Sequence, residues 1–207
     1  TDDEDIERLR NRQVKNFFTL TLLSIGTPML LMGDEVRRSQ GGNNNTYCQD
    51  NEMSWFDWGL RDKHPDIHHF AKQLIGFRLS RELPTEGFDR TLNELLRNQP
   101  VAWHGVKLNS PDFSHDSHVV AATILAPGNR FRMHLMINAY WEPLEFEVPP
   151  GGGVFEPWRR CVDTFLDPPG DITGWPEATP INTHTYLVQP RTVVVMISES
   201  SRSAGET

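Results

Sequence analysis

Excess basic charge, a cysteine framework and an unbroken apolar stretch are all missing from this 207-residue chain. With 20 Lys plus Arg against 28 Asp plus Glu, net −8, it lacks the cation density that displaces counterions from phosphates. This excludes a nucleic-acid backbone binder. Two cysteines, Cys48 and Cys161, build no disulfide scaffold and fit a reducing compartment. The longest apolar stretch, Phe17 to Met32, is interrupted by Thr19, Thr21, Ser24, Gly26, Thr27 and Pro28. It falls short of the ~20 residues that span a bilayer, so no membrane segment is expected. The opening residues Asp2, Asp3, Glu4 and Asp5 resemble no secretory leader, and the chain reads as the middle of something longer. There is no Gly-rich phosphate loop, no GxSxG elbow and no HExxH pair, which excludes the nucleotide, serine-hydrolase and zinc signatures those motifs carry.

What is present suffices for a folded core: 37% apolar and 10% aromatic residues, at a mean hydropathy of −0.50. Residues 4 to 25 read as a helix, with Val14, Phe17, Phe18, Thr21, Leu22 and Ile25 at three-four spacing, acids at the start and Gly26 as a stop. Pro28 to Met32 followed by Gly33-Asp34-Glu35 reads as a strand buried on both faces of a parallel sheet. From Val36 to Trp58 the chain is polar and irregular, and a loop that long is more often functional than accidental. A second helix is expected at 65 to 80 and a short helical turn at Thr91 to Asn98.

Beyond Pro100 the period changes to two. Phe131, Met133, Leu135 and Ile137 alternate with Arg132, His134 and Met136, and Leu144, Phe146 and Val148 alternate with glutamates, each a half-buried strand. Further runs at 101 to 107, 118 to 126, 159 to 165, 184 to 188 and 192 to 197 suggest an antiparallel sandwich. Trp103, Trp141, Trp158 and Trp175 are expected as core or interface aromatics. The tail from Ser198 is expected to be disordered.

Asp34 and Glu35 sit at the carboxyl end of the expected parallel strand, the edge where such architectures bind ligands. They could equally hydrogen-bond the turn itself or pair with Arg37 or Arg38. The following segment, Asn43, Asn44, Asn45, Tyr47, Asp50 and Asn51, with Trp55 and Trp58 beyond, collects amides, carboxylates and aromatic rings. Amides and carboxylates pair with vicinal hydroxyls while rings cover the apolar face of a sugar, so a carbohydrate fits. A self-capping loop of Asx turns fits too. The Ca²⁺-loop spacing is not met, and neither a metal nor a cofactor is expected.

The run LRNRQVKNFFTLTLLSIGTPMLLMGDEVRRSQGGNNNTYCQDNEMSWFDW closely resembles the bacterial glycogen debranching enzymes and isoamylases of the alpha-amylase superfamily. WHGVKLNSPDFSHDSH and MINAYWEPLEFEVP are similar to the C-terminal domain of the same group. The resemblance implies an α+β fragment: the terminal helix–strand unit of a (β/α)8 barrel followed by an antiparallel β-sandwich C-terminal domain. By it, residues 1–95 are the barrel remnant, 96–198 the sandwich and 199–207 a disordered tail. A complete barrel needs ~250 residues, so only its last unit is held here. The Asp nucleophile, Glu acid/base and third Asp of these retaining hydrolases would lie upstream of Thr1. No catalytic residue is therefore assigned.

What the resemblance carries over is a wall of the cleft. Asp34 and Glu35 match the end of strand eight, and Asn43, Asn44, Asn45, Tyr47, Asp50 and Asn51 match the loop bordering the sugar subsites. The implied partners are a branched alpha-glucan (glycogen or limit dextrin) and the remainder of the barrel, with no nucleic acid and no membrane, in a cytoplasmic setting. The implied activity of the whole enzyme is hydrolysis of alpha-1,6 branch linkages, this chain alone being inactive. The alternative is a non-catalytic glucan-binding or accessory module. An unpaired strand eight would leave residues 1 to about 60 partly disordered, or buried in an oligomer formed through that strand.

Overall fold

Helix α1 spans Glu4–Leu23 and begins where the sequence puts its acids. The Asp3 carboxylate accepts from the backbone N–H of Asp5 and Ile6, satisfying two of the donors that a helix start leaves free. At the other end Arg78 donates to the carbonyls of Leu22, Ser24 and Gly26. One guanidinium thus closes α1 and ties it to α3 (Pro65–Arg81). A short α2, Gly59–Lys63, precedes α3. The computed structural model describes residues 1–81, 101–126 and 130–201. The expected turn at Thr91 to Asn98 and the expected boundary near residue 95 lie outside the described residues. No helix among them is long and apolar enough to cross a membrane.

Eight strands follow among the described residues: β1 Val101–His104, β2 Val119–Leu125, β3 Phe131–Asn138, β4 Leu144–Glu147, β5 Trp158–Asp163, β6 Thr179–Ile181, β7 Thr185–Val188 and β8 Thr192–Glu199. Six form one sheet in the order β1-β2-β3-β8-β5-β6, and β4 pairs with β7 in a second. Each of these pairings is antiparallel. In the large sheet β8 lies between β3 and β5, with Met133 opposite Ile197 and Leu135 opposite Val195.

The large sheet is covered on both faces. Phe18, Leu22 and Leu23 of α1 and Ile67, Phe70, Ala71 and Leu74 of α3 share one buried cluster with Met133, Val162, Val193, Val195 and Ile197. On the opposite face Phe146 and Val188 of the small sheet pack with Ala121, Met136, Trp158, Val194 and Met196. Residues of β8 therefore alternate between two cores, which is why Val193 to Ile197 are apolar without a break.

Four expectations are corrected here. Pro28 to Met32 form no strand, and Met29 is 90% exposed with Leu31 and Met32 also exposed. A buried parallel strand needs hydrogen-bonded neighbours on both sides, and the described residues supply none. His134 and Met136, expected to face water, are fully buried because the small sheet covers that face. Ser198 to Ser201, expected in the tail, extend the ladder: Ser200 donates to the Arg130 carbonyl and Ser201 to that of Val154. Trp158 is buried as expected, and Trp175 packs on Phe131 and Phe77 between sheet and α3. Trp103 and Trp141 do not follow, being 50% and 58% exposed.

Candidate functional site: the Asn-rich loop

The turn after the exposed apolar segment is built by its own carboxylates. Gly33 takes φ +100°, and an added Cβ would fall 2.5 Å from the Cβ of Arg38, so only glycine fits. The Asp34 Oδ2 accepts from Leu31 N–H at 2.9 Å, and Glu35 Oε2 from Gly33 N–H at 2.9 Å. Each acid therefore spends one oxygen on local backbone.

Two arginines anchor the loop that begins there. Arg37, at φ +55°, donates to Glu7 at 3.0 Å and to Asn11 at 2.6 Å, both on α1. Glu7 is held below the usual carboxylate range by hydrogen bonds from Arg10 first and then Arg37. Arg38 reaches across the loop to the carbonyls of Met32, Met53 and Ser54. The fork of a guanidinium suits three carbonyls at once, so Arg38 closes a ring from residue 32 to residue 54. Sequence reasoning treated both arginines only as potential partners of Asp34 and Glu35. The available signal was an arginine directly after the strand-end turn.

Inside that ring the asparagines divide. Asn43 Oδ1 accepts from Asn45 N–H, Asn45 Oδ1 from Tyr47 N–H, and Asn51 Oδ1 from Met53 N–H, three successive Asx turns. The Asn51 amide also donates to Gln49, and Asp50 Oδ1 accepts from the Trp55 indole at 2.9 Å. Asn44 makes no side-chain hydrogen bond among the described residues, and Tyr47 is 96% exposed. Asn43, Asn45 and Asn51 thus shape the loop, while Asn44 and Tyr47 are left free toward solvent. Asp34 borders an open groove with Phe17, Met29, Leu30, Arg37 and Arg38. Among the described residues no three His, Cys, Asp or Glu side chains gather as metal ligands would.

Arg38→Ala is expected to release the loop without unfolding the core, since its three acceptors lie outside the two clusters. Limited proteolysis should then cut between residues 39 and 54 well before the wild type is cut, at a nearly unchanged Tm. Equal digestion rates would mean that the Asx turns hold the loop by themselves.

With this geometry, the chain has the fold of part of the pullulanases. It superposes on the pullulanase of Bacillus acidopullulyticus with a TM-score of 0.67 at 17% identity, covering 95% of this chain and 21% of that one. The type I pullulanase of Bacillus subtilis, solved with maltose, gives 0.66 at 18% identity over 97% and 24%. By sequence the chain is similar to glycogen debranching enzymes and isoamylases. It is 34% identical to the Glycogen operon protein GlgX homolog of Mycobacterium tuberculosis over 95% of its own length and 29% of the relative's. It is 40% identical to the chloroplastic isoamylase 1 of Arabidopsis thaliana over 80% and 20%, and 34% identical to the glycogen debranching enzyme of Pectobacterium atrosepticum over 84% and 24%. The chain therefore spans less than a third of the length of these relatives. No protein-family model matches it.

Proposed function

We propose that this chain is the C-terminal portion of a glycoside hydrolase that cleaves alpha-1,6 branch linkages in glycogen or limit dextrin. In this reading residues 1–95 close a (β/α)8 barrel, residues 96–198 form a sandwich domain behind it, and the protein works in the cytoplasm. The chain contributes a wall of the substrate cleft and none of the catalytic triad. One observation carries the proposal: a loop whose turns are satisfied internally yet presents Asn44 and Tyr47 outward. Internal satisfaction makes the backbone rigid, and an amide beside a phenol is suited to the hydroxyls and ring face of a glucose unit.

The exposed segment Pro28 to Met32 fits the same reading. Met29, Leu31 and Met32 present an apolar surface that a neighbouring barrel strand would cover, and the backbone of residues 28 to 30 would join a ladder with it. Asp34 and Glu35 would then stand at the barrel's ligand-binding rim.

Asn44→Ala and Asp50→Ala, each made in the complete enzyme, are expected to reduce kcat/KM on limit dextrin. Losing one hydrogen bond to substrate costs about 1–2 kcal/mol, roughly tenfold in kcat/KM. Unchanged kcat/KM in both variants would restrict the loop to a structural part and overturn the cleft assignment.

A further inference from the structure

Trp141 lies on the turn between β3 and β4 and is more than half exposed, although burial is the favoured state of so large a ring. Its exposure is not looseness. Tyr140 stacks on it with centroids 3.9 Å apart and planes 33° from parallel, and the His118 ring meets both edge-on at 5.8 and 6.0 Å. With one face covered by Tyr140, the exposed area of Trp141 belongs to its other face and rim.

The turn carrying these rings is fixed from beneath by Asn138, which is fully buried. Its Oδ1 accepts from the Tyr140 N–H at 3.0 Å, and its Nδ2 donates to the carbonyls of Glu142, Val188 and Gln189 at 2.9 to 3.1 Å. One amide therefore brackets Trp141 on both sides and ties the turn to the end of β7. The Tyr140 carbonyl accepts from the Arg191 N–H, and the Ala139 N–H donates to the His118 carbonyl. His118 Nδ1–H donates to the Asp116 carbonyl, which leaves Nε2 as the ring nitrogen open to a ligand.

We infer that Trp141, backed by Tyr140 and His118, is a second alpha-glucan-binding platform, carried on the antiparallel sheet rather than on the Asn-rich loop. The ligand class rests on the function proposed above. A rigid ring with one open face covers the C–H face of a pyranose, while His118 Nε2 accepts from a hydroxyl and the exposed Glu142 carboxylate offers a further acceptor beside it. Ordering is already accomplished by Asn138, so little side-chain entropy is lost on binding.

The test is retardation of this chain in native gels cast with soluble glycogen, with thermal melting recorded for each variant. The wild type is expected to be retarded. Trp141→Ala should weaken the apparent affinity roughly tenfold or more, as loss of an anchoring tryptophan does. Trp141→Phe, which keeps a stacking face, should recover part of it, and His118→Ala should weaken binding at an exposed position should Trp141→Ala melt early. Full retardation of a folded Trp141→Ala, or no retardation of the wild type, would overturn the platform. An Asn44→Ala/Tyr47→Ala variant in the same gel separates the two readings. Loss there with none in Trp141→Ala overturns the platform and leaves the cleft assignment standing. Loss in Trp141→Ala alone supports the platform whatever the hydrolysis assay gives for the loop.

Discussion

Lys15→Ala is expected to lower the Tm by roughly 10 °C, following from a loss of about 3–5 kcal/mol when one partner of a buried ion pair is removed from a chain of this size. The Lys15 ammonium lies 2.8 Å from Asp171 Oδ2 and 3.6 Å from Asp66, with side-chain exposures of 5% for Lys15 and 1% for Asp171. It also sits 5.6 Å from the centre of the Phe70 ring. Lys15 is on α1 and Asp171 follows β5, so the pair joins the helical layer to the large sheet. Removing the lysine alone leaves a carboxylate that water cannot reach. The pair as a whole is a weaker stabiliser than either deletion suggests, because both charges were desolvated to make it. Lys15→Met combined with Asp171→Asn should therefore recover most of the loss, the introduced amide oxygen keeping the bond that Asp171 Oδ1 now accepts from the Ile172 N–H. A Tm within about 3 °C of wild type for Lys15→Ala, equivalent to about 1 kcal/mol, would show that the site is hydrated.

The second large effect is a loss of stability in acid that depends on His134. A chain of contacts defines its state. His104 Nδ1 accepts from the Asn109 N–H at 2.8 Å, so its Nε2 carries the proton and donates to the Thr123 hydroxyl at 2.9 Å. That hydroxyl then donates to His134 Nδ1 at 3.0 Å, which puts the remaining proton on His134 Nε2. Nε2 is buried and has no hydrogen-bond partner among the described residues, with the Trp158 ring centred 5.8 Å from that of His134. Burial first, then the charges of His104 and Arg132, push the His134 pKa from 6.5 down to about 3.

Because the folded value is depressed, the unfolded chain binds the proton first. Stability is complete above pH 6.5 and falls as the pH drops from 6.5 toward 3, at up to about 1.4 kcal/mol per unit. Denaturant unfolding at pH 7 and pH 4 measures this. His134→Leu, matched in burial, should flatten the difference by roughly 2–3 kcal/mol. An unchanged difference would assign the acid lability to other groups.

The sequence made some parts of this fold legible because one physical signal dominated them. In α3, Ile67, Phe70 and Leu74 face a core on one side only, so the 3.6 period is clean. In β3 the period-two pattern was present but was assigned the wrong environment. A histidine and an arginine among methionines read as a solvent face, whereas the small sheet covers that side and the histidine pairs its Nδ1 with Thr123. Strand β6 escaped because it is three residues long with Pro180 in the middle, which an edge strand tolerates. Pro28 to Met32 failed for the opposite reason. Its composition suits a ladder with partners the described residues do not include, and local pattern cannot report missing neighbours.

The candidate site was legible at the level of the loop and not of its members. Alternating amides could bind sugar or cap turns, and only coordinates separate Asn43, Asn45 and Asn51, which cap, from Asn44, which does not. Trp141 illustrates the same limit. Its neighbours Tyr140 and Glu142 look like an ordinary turn until Asn138 is seen bonding both of their backbones.

The place of β8 also governs synthesis. The strand at the centre of the six-stranded sheet is encoded after all of its companions. A ribosome that has translated as far as Arg191 has produced β1-β2-β3 and β5-β6 as two ribbons with no shared ladder, their apolar edges facing an empty slot. Only when residues 192–199 clear the exit tunnel can the ribbons join, and the surfaces beneath α1 and α3 become a continuous floor. Until then the apolar edges of both ribbons stay uncovered, and a chain ended before Thr192 is expected to be digested faster than the full chain.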